Sequence, residues 1–116
     1  MPDIEAIMNF IKSEEGGREC PVFSGYRPAH LVKEDYLTTG IHNYYDREKV
    51  ELGEDVLGTI TFISPEAYPN CLWVGKVIKI QEGSHIVGYA KVTKIFNSLL
   101  ESKQVDRCMK FGINYL

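Results

Sequence analysis

Two alternating runs, Lys76-Val77-Ile78-Lys79-Ile80 and Tyr89-Ala90-Lys91-Val92-Thr93-Lys94-Ile95, enclose the segment Glu82-Gly83-Ser84-His85-Ile86-Val87-Gly88. Side chains alternate between the two faces of a strand, so each run presents one apolar face and one face rich in lysine. A glycine-bearing turn between two such runs predicts an antiparallel hairpin. A hairpin of this kind must bury its apolar face against other strands, which pulls the whole chain toward an all-β fold.

Further strands are visible upstream. Thr59-Ile60-Thr61-Phe62-Ile63 alternates and is rich in β-branched residues, which predicts a strand. Leu31-Val32 and Tyr36-Leu37-Thr38-Thr39 are strand-like, and Asn43-Tyr44-Tyr45-Asp46 reads as an aromatic loop. Residues 51–55 read as an acidic turn, and Gly16, Gly17 and Gly53 can reach positive φ without steric cost. Pro65 and Pro69 place residues 65–70 in a loop. The segment 4–11 is ambiguous on pattern alone. Ile4, Ile7, Met8 and Ile11 fit a helical stripe, while Ala6, Met8 and Phe10 fit one face of a strand. Many short strands with Gly/Pro turns predict a barrel or a sandwich.

Three blocks carry a resemblance. The first is Gly16-Gly17-Arg18 followed by Pro21-Val22-Phe23-Ser24-Gly25-Tyr26-Arg27-Pro28, of which Gly-Tyr-Arg-Pro is the most distinctive part. The second is Gly58-Thr59-Ile60-Thr61-Phe62-Ile63-Ser64-Pro65, and the third is the hairpin around Glu82-Gly83. In this order and spacing, over roughly residues 2–96, the chain resembles the C-terminal barrel domain (domain III) of elongation factor Tu. The resemblance implies a six-stranded antiparallel β-barrel over residues 1–97, with residues 4–11 as its first strand and residues 13–17 as the hairpin turn that follows it. Residues 98–116 would be an extension: a short helix through Leu99, Leu100, Lys103, Gln104, Val105, Cys108 and Met109, then an apolar tail.

The motifs that would make such a chain an enzyme are missing. No Gly-x-x-x-x-Gly-Lys-Ser/Thr phosphate loop, Asn-Lys-x-Asp, His-Glu-x-x-His or Gly-x-Ser-x-Gly occurs, so no GTP binding is expected. Cys20, Cys71 and Cys108 are widely spaced, without metal-ligand spacing, and read as thiols of a reducing compartment. A nucleophilic Cys20 or Cys71 would need His30, His42 or His85 as its base, and nothing in the sequence brings one beside a thiol. The paired carboxylates Glu14-Glu15, Glu34-Asp35 and Glu54-Asp55 read as solvated turns. An enzyme reading would require a pocket with a strongly perturbed group near a histidine or a cysteine. No apolar run approaches the roughly 18–20 residues that span a bilayer, and the N-terminus lacks a signal-peptide pattern.

Charge is uneven. Residues 1–74 carry six basic and thirteen acidic side chains, whereas residues 75–116 carry seven basic and three acidic. The basic third could meet an anionic partner or could simply be solvated. The resemblance implies that Arg18 and Lys94 match positions that approach the tRNA T stem. Lys91 adds a cation where the family is apolar, while Glu19 replaces a usual histidine with an acid. Arg18, Lys91 and Lys94 are therefore the candidate RNA contacts, and Tyr36, Tyr44 and Tyr45 the candidate partner contacts, since tyrosine favours interfaces as well as cores. The expectation is a non-catalytic, stand-alone, cytoplasmic binding module, a monomer or weak dimer with no cofactor, metal or membrane. Its partner would be a protein, with translation as the setting. The alternatives are tRNA binding through the inherited surface, or an immunity-type or decoy role.

Overall fold

The computed structural model describes residues 1–102. Eight strands occur in chain order: β1 (Ile4–Phe10), β2 (Val22–Phe23), β3 (Ala29–Lys33), β4 (Tyr36–Tyr44), β5 (Lys49–Val50), β6 (Asp55–Phe62), β7 (Val77–Glu82) and β8 (His85–Ile95). Six close into a barrel in the order β1-β6-β4-β3-β7-β8, and β8 returns to β1. Every neighbouring pair is antiparallel. β2 and β5 form a separate two-stranded ribbon. The fold is thus the expected all-β, six-stranded antiparallel barrel, with further residues beyond it.

The ambiguity in the first segment resolves as a strand. Ile4, Ala6, Met8 and Phe10 are fully buried in the barrel, while Ile7 points outward. The period is two because both edges of β1 are paired, to β6 and to β8. The predicted hairpin forms between β7 and β8. Its loop is Gly83-Ser84, with Gly83 at φ +63° and no positive φ at Ser84, as a type II′ turn requires.

Two expectations are corrected. Residues 13–17 are not a hairpin turn. Ser13–Glu15 forms a 3-10 turn closed by the N–H groups of Glu15 and Gly17, which both donate to the Lys12 carbonyl. β1 is already paired along both edges and has none left for the segment after this turn. Asn43-Tyr44 is not a loop either, because β4 continues through Tyr44, with these two residues paired to Thr59 and Gly58 of β6. Gly58 permits this, since a Cβ there would sit 2.7 Å from the Asn43 carbonyl oxygen.

The chain past β8 folds back on the barrel. Ser98–Leu100 makes a 3-10 turn and Leu100 is fully buried. The Leu72 N–H donates to the Leu100 carbonyl, and the Leu72 carbonyl accepts from the Ser102 N–H. The rest of the expected helix and the tail from 103 to 116 lie outside the described residues.

Barrel closure is clamped at Asp3, a buried residue. Its carboxylate accepts from the Phe62 N–H at 2.7 Å and from Asn97 Nδ2 at 2.8 Å. Its carbonyl accepts from the N–H groups of Phe96 and Asn97, and its own N–H donates to the Ile60 carbonyl. One residue therefore ties β1 to the ends of both β6 and β8. Replacing Asp3 by Ala strands a buried N–H without an acceptor. Urea denaturation of Asp3→Ala should show a stability loss of about 1–3 kcal/mol, and an unchanged midpoint would rule out the clamp.

Candidate functional site

The barrel interior holds an unusual concentration of polar side chains, because β3 and β4 point them inward. Thr38, Gly40, His42 and Tyr44 alternate inward along β4, and His30 points inward from β3. His30 and His42 are both fully buried, with Nε2 atoms 2.7 Å apart. His30 Nδ1 lies 3.3 Å from the Thr38 carbonyl oxygen, and His42 Nδ1 lies 2.9 Å from the Tyr44 hydroxyl. A carbonyl can only accept, so His30 carries a hydrogen on Nδ1, and in the neutral ring that burial favours its Nε2 is bare. His42 must then donate from Nε2 and accept at Nδ1 from the Tyr44 O–H. The chain runs one way, Tyr44 to His42 to His30 to Thr38, with both rings neutral and each ring nitrogen satisfied. Gly40 makes room for it, since a Cβ there would lie 2.9 Å from His30 Cε1 and 2.7 Å from Ile60 Cγ2.

Burial, with no carboxylate hydrogen-bonded to either ring, pushes His30 down to about 4. Burial and the neighbouring His30 push His42 well below its ordinary value. Such perturbation often marks an active site. Here both rings are fully buried, with Phe10 and Tyr26 packed against His42 and Phe62 against His30. The thiols are equally remote. Cys20 is exposed, and Cys71 is buried with its thiol pushed up by that burial. Neither is hydrogen-bonded to a histidine, and His85 Nε2 instead meets the Gly16 carbonyl oxygen at 2.5 Å. Among the described residues, no group of three or more His, Cys, Asp or Glu could hold a metal ion. No helix among them is long and apolar enough to cross a membrane.

Arg18 is committed within the molecule. Its guanidinium pairs with Glu82, lies 4.9 Å over the Tyr26 ring and donates from Nε to the Cys20 carbonyl at 3.1 Å. Tyr26 donates its O–H to the same Glu82 oxygen at 2.5 Å. Burial raises the Glu82 carboxyl, but the bonds from Tyr26 and Arg18 outweigh it and hold the carboxyl below its ordinary range. This triad fastens the 16–21 loop, with its Gly-Gly-Arg block, to the β7–β8 hairpin. A phosphate at Arg18 would have to displace Glu82.

The exterior is different. Across neighbouring strands the register aligns Leu57 (β6), Ile7 (β1), Lys91 (β8) and Val77 (β7) in one row. The next row holds Asp55, Asn9, Tyr89 and Lys79, with the Asn9 side-chain amide donating to the Asp55 carboxylate at 2.8 Å. Ile7, Leu57, Tyr89 and Val77 are 39–55% exposed. Cross-strand neighbours lie about 5 Å apart, so these side chains form one continuous surface of aliphatic groups and lysines. Lys79 and Lys91 form no ion pair among the described residues. Lys94 lies opposite Glu5, whose carboxyl is lowered first by the Thr93 hydroxyl and further by the Tyr45 hydroxyl and Lys94.

Tyr45, 41% exposed, donates to Glu5 at 3.0 Å. Beside it a groove of about 670 Å³ runs over β4 and β6, lined by Ile41, Asn43, Tyr45, Thr59, Thr61 and Phe96 among others. Groove and face therefore meet at Tyr45 and Glu5. Tyr36 is half-buried and packs its ring 5.2 Å from Tyr68. Tyr44 is buried and its hydroxyl belongs to the histidine chain, which removes it from any surface contact.

Of the residues singled out in the sequence, Lys91, Lys94 and Tyr45 share one side of the barrel. Arg18 is tied into its own ion pair, and Tyr36 and Tyr44 contribute to packing. Sequence reasoning missed Ile7, Leu57 and Val77 as a surface. Only the register, which brings β1 between β6 and β8, could have assembled them. No family model matches the chain.

If Arg18 serves the fold, its partner must matter equally. Urea melts of Arg18→Ala, Glu82→Ala and the double variant should give a coupling energy of about 0.5–1 kcal/mol. Strict additivity would mean that the contact is incidental and that Arg18 is free for another ligand.

Proposed function

We propose that this protein is a non-catalytic binding module, a barrel of the elongation factor Tu domain III type, that docks another protein on the outer face of β6, β1, β8 and β7. The observation that carries this reading is the row Leu57–Ile7–Lys91–Val77: aliphatic side chains in register, a third or more exposed, beside lysines that form no ion pair among the described residues. Half-exposed aliphatics on adjacent strands mark interaction surfaces when they are contiguous rather than scattered.

Protein is favoured over RNA on chemical grounds. Sequence-tolerant RNA binding relies on aromatic platforms on which bases stack, together with free arginines. This face offers aliphatic groups and one tyrosine, and Arg18 is bound to Glu82. The net charge of −3 also opposes a polyanion at long range. A partner with apolar anchors and acidic neighbours fits the lysine–aliphatic alternation. The three blocks that resemble the elongation factor support a translation setting for that partner.

The test is affinity capture from host lysate with the tagged chain and with its Ile7→Asp and Lys91→Glu variants, each with and without RNase. Both positions face solvent, so the variants should keep their stability to within about 0.5–1 kcal/mol in urea. The expected result is a protein that survives RNase, stays with Arg18→Ala and is lost with Ile7→Asp and Lys91→Glu. Recovery of RNA that disappears with RNase, or binding indifferent to both face variants, would contradict the reading. So would guanine-nucleotide turnover by the isolated chain.

A further inference from the structure

The buried histidine chain serves no surface chemistry, yet it occupies the centre of the barrel. We propose that it makes the barrel acid-labile: the Tyr44–His42–His30–Thr38 chain is complete with both imidazoles neutral and lies fully buried with no carboxylate bonded to either ring, so a fall in pH opens the barrel by protonating histidines that the closed form keeps neutral.

The geometry sets how protons can enter. Only two ring nitrogens are bare, His42 Nδ1 and His30 Nε2. A proton on His30 Nε2 would face the His42 Nε2–H across 2.7 Å, donor against donor, unless His42 moved its hydrogen to Nδ1 and turned the Tyr44 hydroxyl into an acceptor; either way it would leave a buried cation. A proton on His42 Nδ1 would force the Tyr44 hydroxyl to turn from donor to acceptor and would leave a buried cation. No counter-charge faces it from any packed element. β1 contributes Met8 and Phe10, β6 contributes Ile60 and Phe62, β7 contributes Ile78 and Ile80, and β8 contributes Val87, Ala90 and Val92 to the core, all apolar. From β3 and β4 come Val32, Thr38 and Tyr44, and the segment before β3 contributes Tyr26. Arg18 and Glu82 satisfy one another beyond Tyr26, and Asp3 is held by the Phe62 N–H and Asn97. None of these carboxylates is hydrogen-bonded to a ring.

Linkage sets the direction. Both histidines titrate lower in the fold than the ordinary 6.5 of the unfolded chain. Below about 6.5 the unfolded chain therefore binds more protons, and stability falls as pH falls. Glu5 and Glu82 have lowered values and contribute in the same direction, but only within and below the carboxylate range, so the interval from pH 7.5 to 5.5 isolates the histidines. β4 carries the chain on its inner side and groove residues Ile41 and Asn43 on its outer side, so opening would dismantle the groove as well.

Urea unfolding at pH 7.5 and 5.5 reads the effect directly. Two excluded protons raise the unfolding constant by roughly 100-fold over that interval. The His30→Phe/His42→Val double variant should lose this dependence, whereas His85→Gln, which alters the exposed histidine, should retain it. Nitrogen-15 NMR of the native protein gives a second measurement that needs no core variant. It should find His30 protonated at Nδ1, His42 at Nε2, and neither titrating above pH 5. A native stability that stays flat from pH 7.5 to 5.5, or either histidine titrating near 6.5 while the barrel remains folded, would overturn the proposal.

Discussion

Everything in this structure depends on where β1 lies. The first strand is inserted between β6 and the last strand of the barrel, so closure joins the two ends of the barrel sequence, with Ile4 opposite Ile95. A sheet that closes has no edge to protect, and its outer surface is free to carry apolar side chains without inviting further strands. Asp3 stands at the point of closure and accepts hydrogen bonds from the far ends of both neighbours. Once β1 is fixed, its inward residues Ile4, Ala6, Met8 and Phe10 fill the core. Its outward Ile7 then becomes the centre of the exterior row.

The interior and exterior divide the protein's work. Inside, β3 and β4 supply two histidines, a tyrosine and a threonine. Their hydrogen bonds are complete and unidirectional, which a buried network must be if it is not to destabilise the fold. Gly40 shows how narrow the tolerance is, since the absence of its side chain is the space the His30 ring uses. Outside, the lysines of β7 and β8 alternate with aliphatic groups that the barrel itself leaves uncovered.

Strand content was legible in the sequence wherever alternation was strict. The β7–β8 hairpin and β6 stand where the runs around Glu82-Gly83 and over residues 59–63 predict them. Local signals failed where pairing over long distances decided the outcome. Residues 13–17 have the composition of a hairpin turn, but β1 is paired on both sides. Asn43-Tyr44-Tyr45-Asp46 has the composition of a loop, but Gly58 lets β6 come close enough to continue β4 through Tyr44. The histidine chain was invisible for a related reason. His30 and His42 are twelve residues apart on different strands, and only the barrel's curvature turns both rings inward to meet. Among the site residues, Lys91, Lys94 and Tyr45 could be read as surface positions. Arg18 could not be recognised as a fold residue, because its partner Glu82 lies sixty-four positions away.

If closure by β1 is what holds the molecule together, the barrel must open as one cooperative unit. Native-state amide hydrogen exchange across a urea series tests this most directly. Slowly exchanging amides of β1 and β8 should open only with the whole molecule, at the same free energy and with the same urea dependence as those of β4 and β6. Exchange of β1 amides at a clearly lower free energy and without urea dependence would mean that the strand detaches locally. The barrel would then stand without its first strand, and closure at Asp3 would not be the constraint on which the fold depends.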